Sequence, residues 1–145
     1  MNYKILTVAT FTFLLVACGQ KTTSNIPTER ETLQDGVEVL YFHGKQRCVT
    51  CNTIEQLTRE VLEENFADEL DTKTIIFNII DISQPENEKI ADEYEVTWSS
   101  LFVSKWVNGV KITTNMTDFG FSYAKNQPEE FKKGLKEKLD GVLHN

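Results

Sequence analysis

The stretch that most constrains this chain is Arg47-Cys48-Val49-Thr50-Cys51, which lies between two segments of different periodicity. Before it, Val37-Glu38-Val39-Leu40-Tyr41-Phe42 is a short apolar run of strand length. After it, Ile54, Leu57, Val61 and Leu62 recur at helical spacing, and Glu55, Arg59, Glu60, Glu63 and Glu64 take the opposite face. The pattern predicts a strand, a brief loop, and two thiols at the start of a helix running from Val49 to about Asn65. Backbone N–H groups at a helix N-terminus lack intrahelical partners and carry partial positive charge. A thiolate placed there is stabilised, so its pKa falls and it becomes a better nucleophile at neutral pH. A second thiol one turn away can attack the mixed disulfide formed by the first. On this reading Cys48 attacks and Cys51 resolves.

Other uses of the pair remain open from the residues alone. A bridge between Cys48 and Cys51 closes a very short loop and constrains the unfolded chain by about 2 kcal/mol, against about 4.7 kcal/mol for a 100-residue loop, which makes it a poor staple. The two thiolates could instead hold a soft ion such as Cu(I) or arsenite, with His43 as a third ligand. A closed zinc site needs four ligands, and the remaining candidate, His144, lies next to the C-terminus. A third class is an interaction module in which the thiols are incidental. Disulfide exchange itself needs no bound cofactor. The formal charge of −7 over 145 residues, with no basic stripe, argues against a nucleic-acid partner.

The rest of the chain supplies one domain's worth of elements. Thr74 to Ile82 is β-rich and almost continuously apolar, as expected for a central strand covered on both faces. Ser83 and Pro85 start a helix whose inner face is Ile90, Ala91 and Tyr94. Ser100 to Val107 is a further strand, Asn108-Gly109 a two-residue hairpin turn, and Val110 to Thr114 the returning strand. Asp118 is expected to cap a short helix through Tyr123, and Pro128 to open a last helix with Phe131, Leu135, Leu139 and Val142 inward. Strands joined through a helix pair in parallel with a right-handed crossover, and the hairpin adds an antiparallel pair. The expected sheet is therefore mixed, with helices on both faces.

Residues 1–17 are set apart from the domain. Lys4 is the one charged side chain before a 13-residue apolar run from Ile5 to Ala17, too short to span a bilayer and of signal-peptide length. It ends Leu15-Val16-Ala17-Cys18, which resembles the lipobox of bacterial lipoproteins. The resemblance implies cleavage before Cys18, lipidation of its sulfur and attachment to the membrane. With Gly19 rather than Asp in the next position, it further implies the outer membrane, facing the periplasm, in a Gram-negative cell. Residues 18–34 are polar and read as a flexible tether, whose root-mean-square reach is roughly 20–24 Å. The domain proper is expected over 35–145.

The order strand, dithiol, helix, strand, helix, hairpin, helix resembles the thioredoxin superfamily over roughly Val37 to Leu143. Tyr94-Glu95-Val96-Thr97 stands where thioredoxins carry a Tyr-Gly approach to their next strand. The resemblance implies an α/β fold with three layers, α/β/α, around a mixed and mostly four-stranded sheet. It implies thiol–disulfide exchange by Cys48 and Cys51, with envelope thiol and disulfide proteins as partners. The sequence departs from the family in three places. The family's cis-proline opposite the dithiol is replaced by Ser99-Ser100, where a trans peptide is expected because a cis non-proline bond costs about 3–4 kcal/mol. The family's Trp-Cys-Gly-Pro-Cys is replaced by Arg47 and Val49-Thr50, and Arg47 should favour the Cys48 thiolate. The family's buried acid is missing between Val39 and Cys48, leaving His43 as the nearby group with a near-neutral pKa. Trp98, beside the Ser99-Ser100 loop, is the better candidate of the two tryptophans for a wall of the site.

Overall fold

The computed structural model describes residues 35–144. The expected signal segment, the lipidation site Cys18 and the tether lie outside the described residues. The sheet has four strands in the order β2-β1-β3-β4. Strand β1 (Gly36–His43) lies parallel to β2 (Ile75–Asp81) and antiparallel to β3 (Ser100–Val107). Strand β4 (Val110–Asn115) returns antiparallel to β3. Both turn residues, Asn108 (φ 51°) and Gly109 (φ 74°), take the left-handed conformation that a two-residue hairpin of matching twist requires.

The alternation of β1 divides the core. Val37, Val39 and Tyr41 point to one face, where they meet Ile54, Leu57, Val61 and Leu62 of α1 (Val49–Asn65) and Phe131, Leu135 and Leu139 of α5 (Pro128–His144). Leu40 and Phe42 point to the other, where they meet Ile80, Phe102, Val96 and Ala91 of α3 (Glu88–Glu93). The result is the α/β fold with three layers and a mixed four-stranded sheet. Two short helices complete it, α2 (Ala67–Asp71) after α1 and α4 (Thr117–Tyr123) before α5. No helix among the described residues is long and apolar enough to cross a membrane.

Two local expectations are corrected. The apolar segment that becomes β2 is an edge strand, not a central one. Ile75 joins the core under α1 and Ile80 the core under α3, so cover on both faces sets its pattern whatever its place in the sheet. Asp118 lies inside the first turn of α4; the Thr117 N–H is taken instead by Asn115 Oδ1 at 2.9 Å. Glu95, between α3 and β3, has φ 52°, a conformation that costs an L residue roughly 1–2 kcal/mol.

The α4–α5 contact allows a test of packing. A Cβ added at Gly134 would lie 2.5 Å from Phe119 Cζ. That ring is fixed between Phe131 at 5.6 Å and Tyr123 at 5.0 Å. Gly134→Ala is expected to cost about 1–3 kcal/mol by overpacking. Gly141→Ala, where a new Cβ meets nothing within 4 Å, is expected to gain about 0.5–1 kcal/mol from helix propensity. Urea unfolding midpoints of the two variants check this pair of opposite signs.

Candidate functional site

The end of β1 and the start of α1 set the two sulfurs in unlike surroundings. Cys48 is the N-cap of α1, with extended backbone (φ −74°, ψ 166°), and its carbonyl accepts the Asn52 N–H at 3.1 Å. Its Sγ also accepts the Cys51 N–H at 3.0 Å. No acidic side chain occupies the first turn of α1 to offset the positive helix end. Cys48 and Cys51 are joined in a disulfide, with Cα atoms 5.0 Å apart. Cys48 is exposed, whereas Cys51 is 7% exposed beneath it. Val49, at 69% exposure, stands beside Cys48 as an apolar surface residue.

Below the disulfide lies a hydroxyl that the sequence reading did not single out. Tyr41 is fully buried on β1, and its Oη donates to the Cys51 carbonyl oxygen at 2.6 Å. Burial pushes the Tyr41 pKa above the ordinary phenol value, against hydrogen bonds from Ser99 and Arg47 that pull it down. The phenol therefore stays protonated and remains a donor at neutral pH. Arg47 does not project into solvent beside Cys48. Its guanidinium is ion-paired with Glu55, and its Cζ lies 5.7 Å from the centre of the Tyr41 ring. Arg59 approaches the other Glu55 oxygen at 3.4 Å. Burial works against the Arg47 charge, but Glu55 and Tyr41 outweigh it and hold its pKa above the ordinary arginine value. Arg47 Nε is buried without a hydrogen-bond partner among the described residues.

Ser99 and Ser100 are both buried, and no cis peptide occurs among the described residues. Ser99 reaches Tyr41; Ser100 Oγ donates to the Trp98 carbonyl at 3.2 Å. Trp98 is 58% exposed and stacks on Phe121 of α4, with ring centres 5.3 Å apart. Cys51, Arg47 and Ser99 thus meet at Tyr41, with Cys48 bonded to Cys51 and with Trp98 and Ser100 next to Ser99 in the chain. His43 sits at the end of β1, its ring 6.3 Å from that of Tyr41 and its Nδ1 3.1 Å from the Gly44 carbonyl oxygen. Among the described residues no three His, Cys, Asp or Glu side chains are grouped so as to hold a metal ion.

Tyr41 and Glu55 are the site residues that sequence reading passed over. Strand alternation with Val37 and Val39 carries a signal for Tyr41, because it places the ring under α1. Glu55 reads as one more outer acid of α1, and its partner in the loop lies outside any helical spacing.

No protein-family model matches the chain. No curated protein matches it either. Among solved structures it is similar to thioredoxin f2 of Chlamydomonas reinhardtii, at 17% identity over 60% of this chain and 70% of that one, with a TM-score of 0.42. It is also similar to thioredoxin-2 of the malaria parasite, a component of that parasite's protein secretion machinery, at 18% identity over 71% and 86%, with a TM-score of 0.44. A thioredoxin from Thermus thermophilus gives 17% identity over 69% and 74%, with a TM-score of 0.42. These are likenesses of fold alone.

Asp81, opposite His43 in the β1–β2 register, closes the same edge of the sheet. Its carboxylate accepts from Gln84 Nε2 at 3.0 Å, from Ser83 Oγ at 2.7 Å and from the Ser83 N–H at 2.9 Å. These bonds lower its pKa to about 2 from the ordinary 3.8. A depressed carboxyl pKa contributes stability that is present above the unfolded value and lost as pH falls through the folded one. Asp81→Asn is therefore expected to lower the urea midpoint at pH 7. The gap to the parent should shrink below pH 3.8 and close near pH 2.

Proposed function

We propose that the chain is a thiol–disulfide oxidoreductase held on a membrane of the bacterial envelope by a lipid on Cys18. The observation that carries the reading is the asymmetry of the bonded pair, with Cys48 exposed at a helix N-terminus and Cys51 buried behind it. A partner sulfur can reach Cys48 but not Cys51, so exchange has one entry point.

Starting from the dithiol, the Cys48 thiolate attacks one sulfur of a partner disulfide. The partner's other sulfur leaves as a thiolate and takes a proton from solvent. Cys51 then gives its proton to solvent and attacks Cys48 Sγ, which releases the partner's first sulfur and closes the Cys48–Cys51 bond. Two electrons have passed from this pair to the partner. The pair has released one proton, from Cys51, to solvent, and the partner's two sulfurs leave as thiolates that take their protons from solvent. The reverse sequence oxidises a partner dithiol. The positive end of α1 and the Arg47 guanidinium favour the Cys48 thiolate. Tyr41 fixes the first turn of the helix through the Cys51 carbonyl, and Ser99, on the loop next to Trp98, reaches Tyr41. No bound cofactor takes part. The partners are envelope proteins that carry exchangeable disulfides or dithiols.

The test is a mixed-disulfide trap in the full chain. Cys51→Ser is expected to retain partners on Cys48 as adducts released by a reducing agent, and Cys48→Ser to retain none. Failure of Cys51→Ser to form adducts with either envelope proteins or a small aromatic disulfide would overturn the proposal. The anchor is tested separately by fractionation: Cys18→Ala should move the protein from the membrane fraction to the soluble one.

A further inference from the structure

Glu55 lies one turn beyond Cys51, and Arg47 immediately precedes Cys48. Their side chains meet across the site, with only 19% and 26% of their respective surfaces exposed. The guanidinium so held rests against Tyr41, whose hydroxyl is fixed to the Cys51 carbonyl. A cation on the residue that precedes the attacking sulfur, packed on the ring bonded to the Cys51 carbonyl, and an anion clamped onto that cation have opposite effects on any charge that appears at Cys48. From this arrangement we infer that Glu55 is a positioning residue that sets the balance between the disulfide and the dithiol by holding and partly neutralising Arg47. The inference rests on the redox reading above and adds the control of its poise.

The chemistry gives the signs. Reduction of the pair adds two electrons and one proton and yields a Cys48 thiolate and a Cys51 thiol. Negative charge at Cys48 exists only in the reduced form. A nearby cation therefore favours the dithiol, and an anion that neutralises the cation favours the disulfide. The buried Arg47 Nε–H, without a partner among the described residues, is a donor that the disulfide-bonded form leaves unused there. Other charges near the site are differently engaged. Arg59 on α1 lies against the second Glu55 oxygen, and His43 faces Asp81 across the β1–β2 register. Ordinary surface ion pairs are worth little; the importance of this one lies in its seat on Tyr41, whose hydroxyl is bonded to the Cys51 carbonyl of a pair whose charge changes.

The test is the equilibrium of the Cys48–Cys51 couple in the full chain against glutathione buffers, with thermal melting as a check on folding. Glu55→Gln keeps the shape and a hydrogen bond to Arg47 while removing the charge. It is expected to shift the equilibrium toward the dithiol by about tenfold, which is about 30 mV upward for a two-electron couple. Arg47→Met should shift it by a similar factor toward the disulfide. Glu55→Asp, which keeps the charge, should stay within about twofold of the parent, an outcome that a purely structural role for Glu55 would not give. In the Arg47→Met background, Glu55→Gln should move the equilibrium far less than it does alone, because its effect passes through Arg47. A folded Glu55→Gln with the parent's equilibrium would overturn the inference, as would an equal shift in both backgrounds. A parent with no reversible couple at any glutathione ratio would instead overturn the redox reading beneath it.

Discussion

Strand β1 is hydrogen-bonded along both of its edges and covered on both of its faces, and the rest of the molecule depends on that double confinement. A slip of one residue would exchange Val37, Val39 and Tyr41 for Glu38, Leu40 and Phe42 at the face beneath α1. The register is thus held by every apolar contact of both layers at once. Because Tyr41 belongs to that register, its hydroxyl has one position, directly under the first turn of α1. The helix start is fixed from below by a strand paired on both edges and packed on both faces. The disulfide on that helix start inherits the constraint.

The chemical asymmetry of the two sulfurs follows from the same placement. A helix leaves its cap residue outside the first turn, so Cys48 at the cap stays in solvent. Three residues later the helix has turned inward, and Cys51 meets the layer containing Tyr41 and Ile54. Exposure of one thiol and burial of its neighbour therefore need no special device, only a Cys-x-x-Cys spacing that begins at the cap. What this chain adds is polar. Arg47, Glu55, Tyr41 and Ser99 form a connected cluster at the buried side of the pair, and the end of β1 that precedes it carries no acid. The one buried acid of β1, Glu38, lies five residues before His43, about 16 Å of strand away. It serves Asn78 and Trp106 at the far end of the sheet.

Periodic segments were legible in the sequence, and contacts between segments were not. The helix from Val49 to Asn65, the strand from Ser100 to Val107 and the Asn108-Gly109 turn are each specified by local spacing or by a backbone preference. Helix α2 carries no apolar period, and none of its residues is buried, so nothing in its sequence announces it. The edge position of β2 was hidden because an apolar pattern reports cover on the faces and says nothing of hydrogen bonding at the sides. The Cys48–Cys51 pair could be read from spacing alone. The destination of Arg47 could not: an eight-residue separation from a loop into the second turn of a helix has no signature, and only coordinates show that the guanidinium turns inward to Glu55.

The Ser99-Ser100 loop is held in place without a proline, by the same cluster. A proline ring stiffens a loop by limiting its own backbone. Here the segment is held by bonds to other elements. Ser99 reaches Tyr41, Ser100 Oγ donates to the Trp98 carbonyl, and the Leu101 N–H donates to Thr117 Oγ1 at 3.1 Å. A stiff ring holds its loop independently of the redox pair, whereas a hydroxyl shared through Tyr41 ties the loop to Cys51 itself. Tyr41 thus stands between the Cys51 carbonyl on one side and Ser99, on the loop that carries Trp98, on the other. The loop and the helix start share one buried phenol as a common partner, and its raised pKa keeps its proton in place across the neutral range.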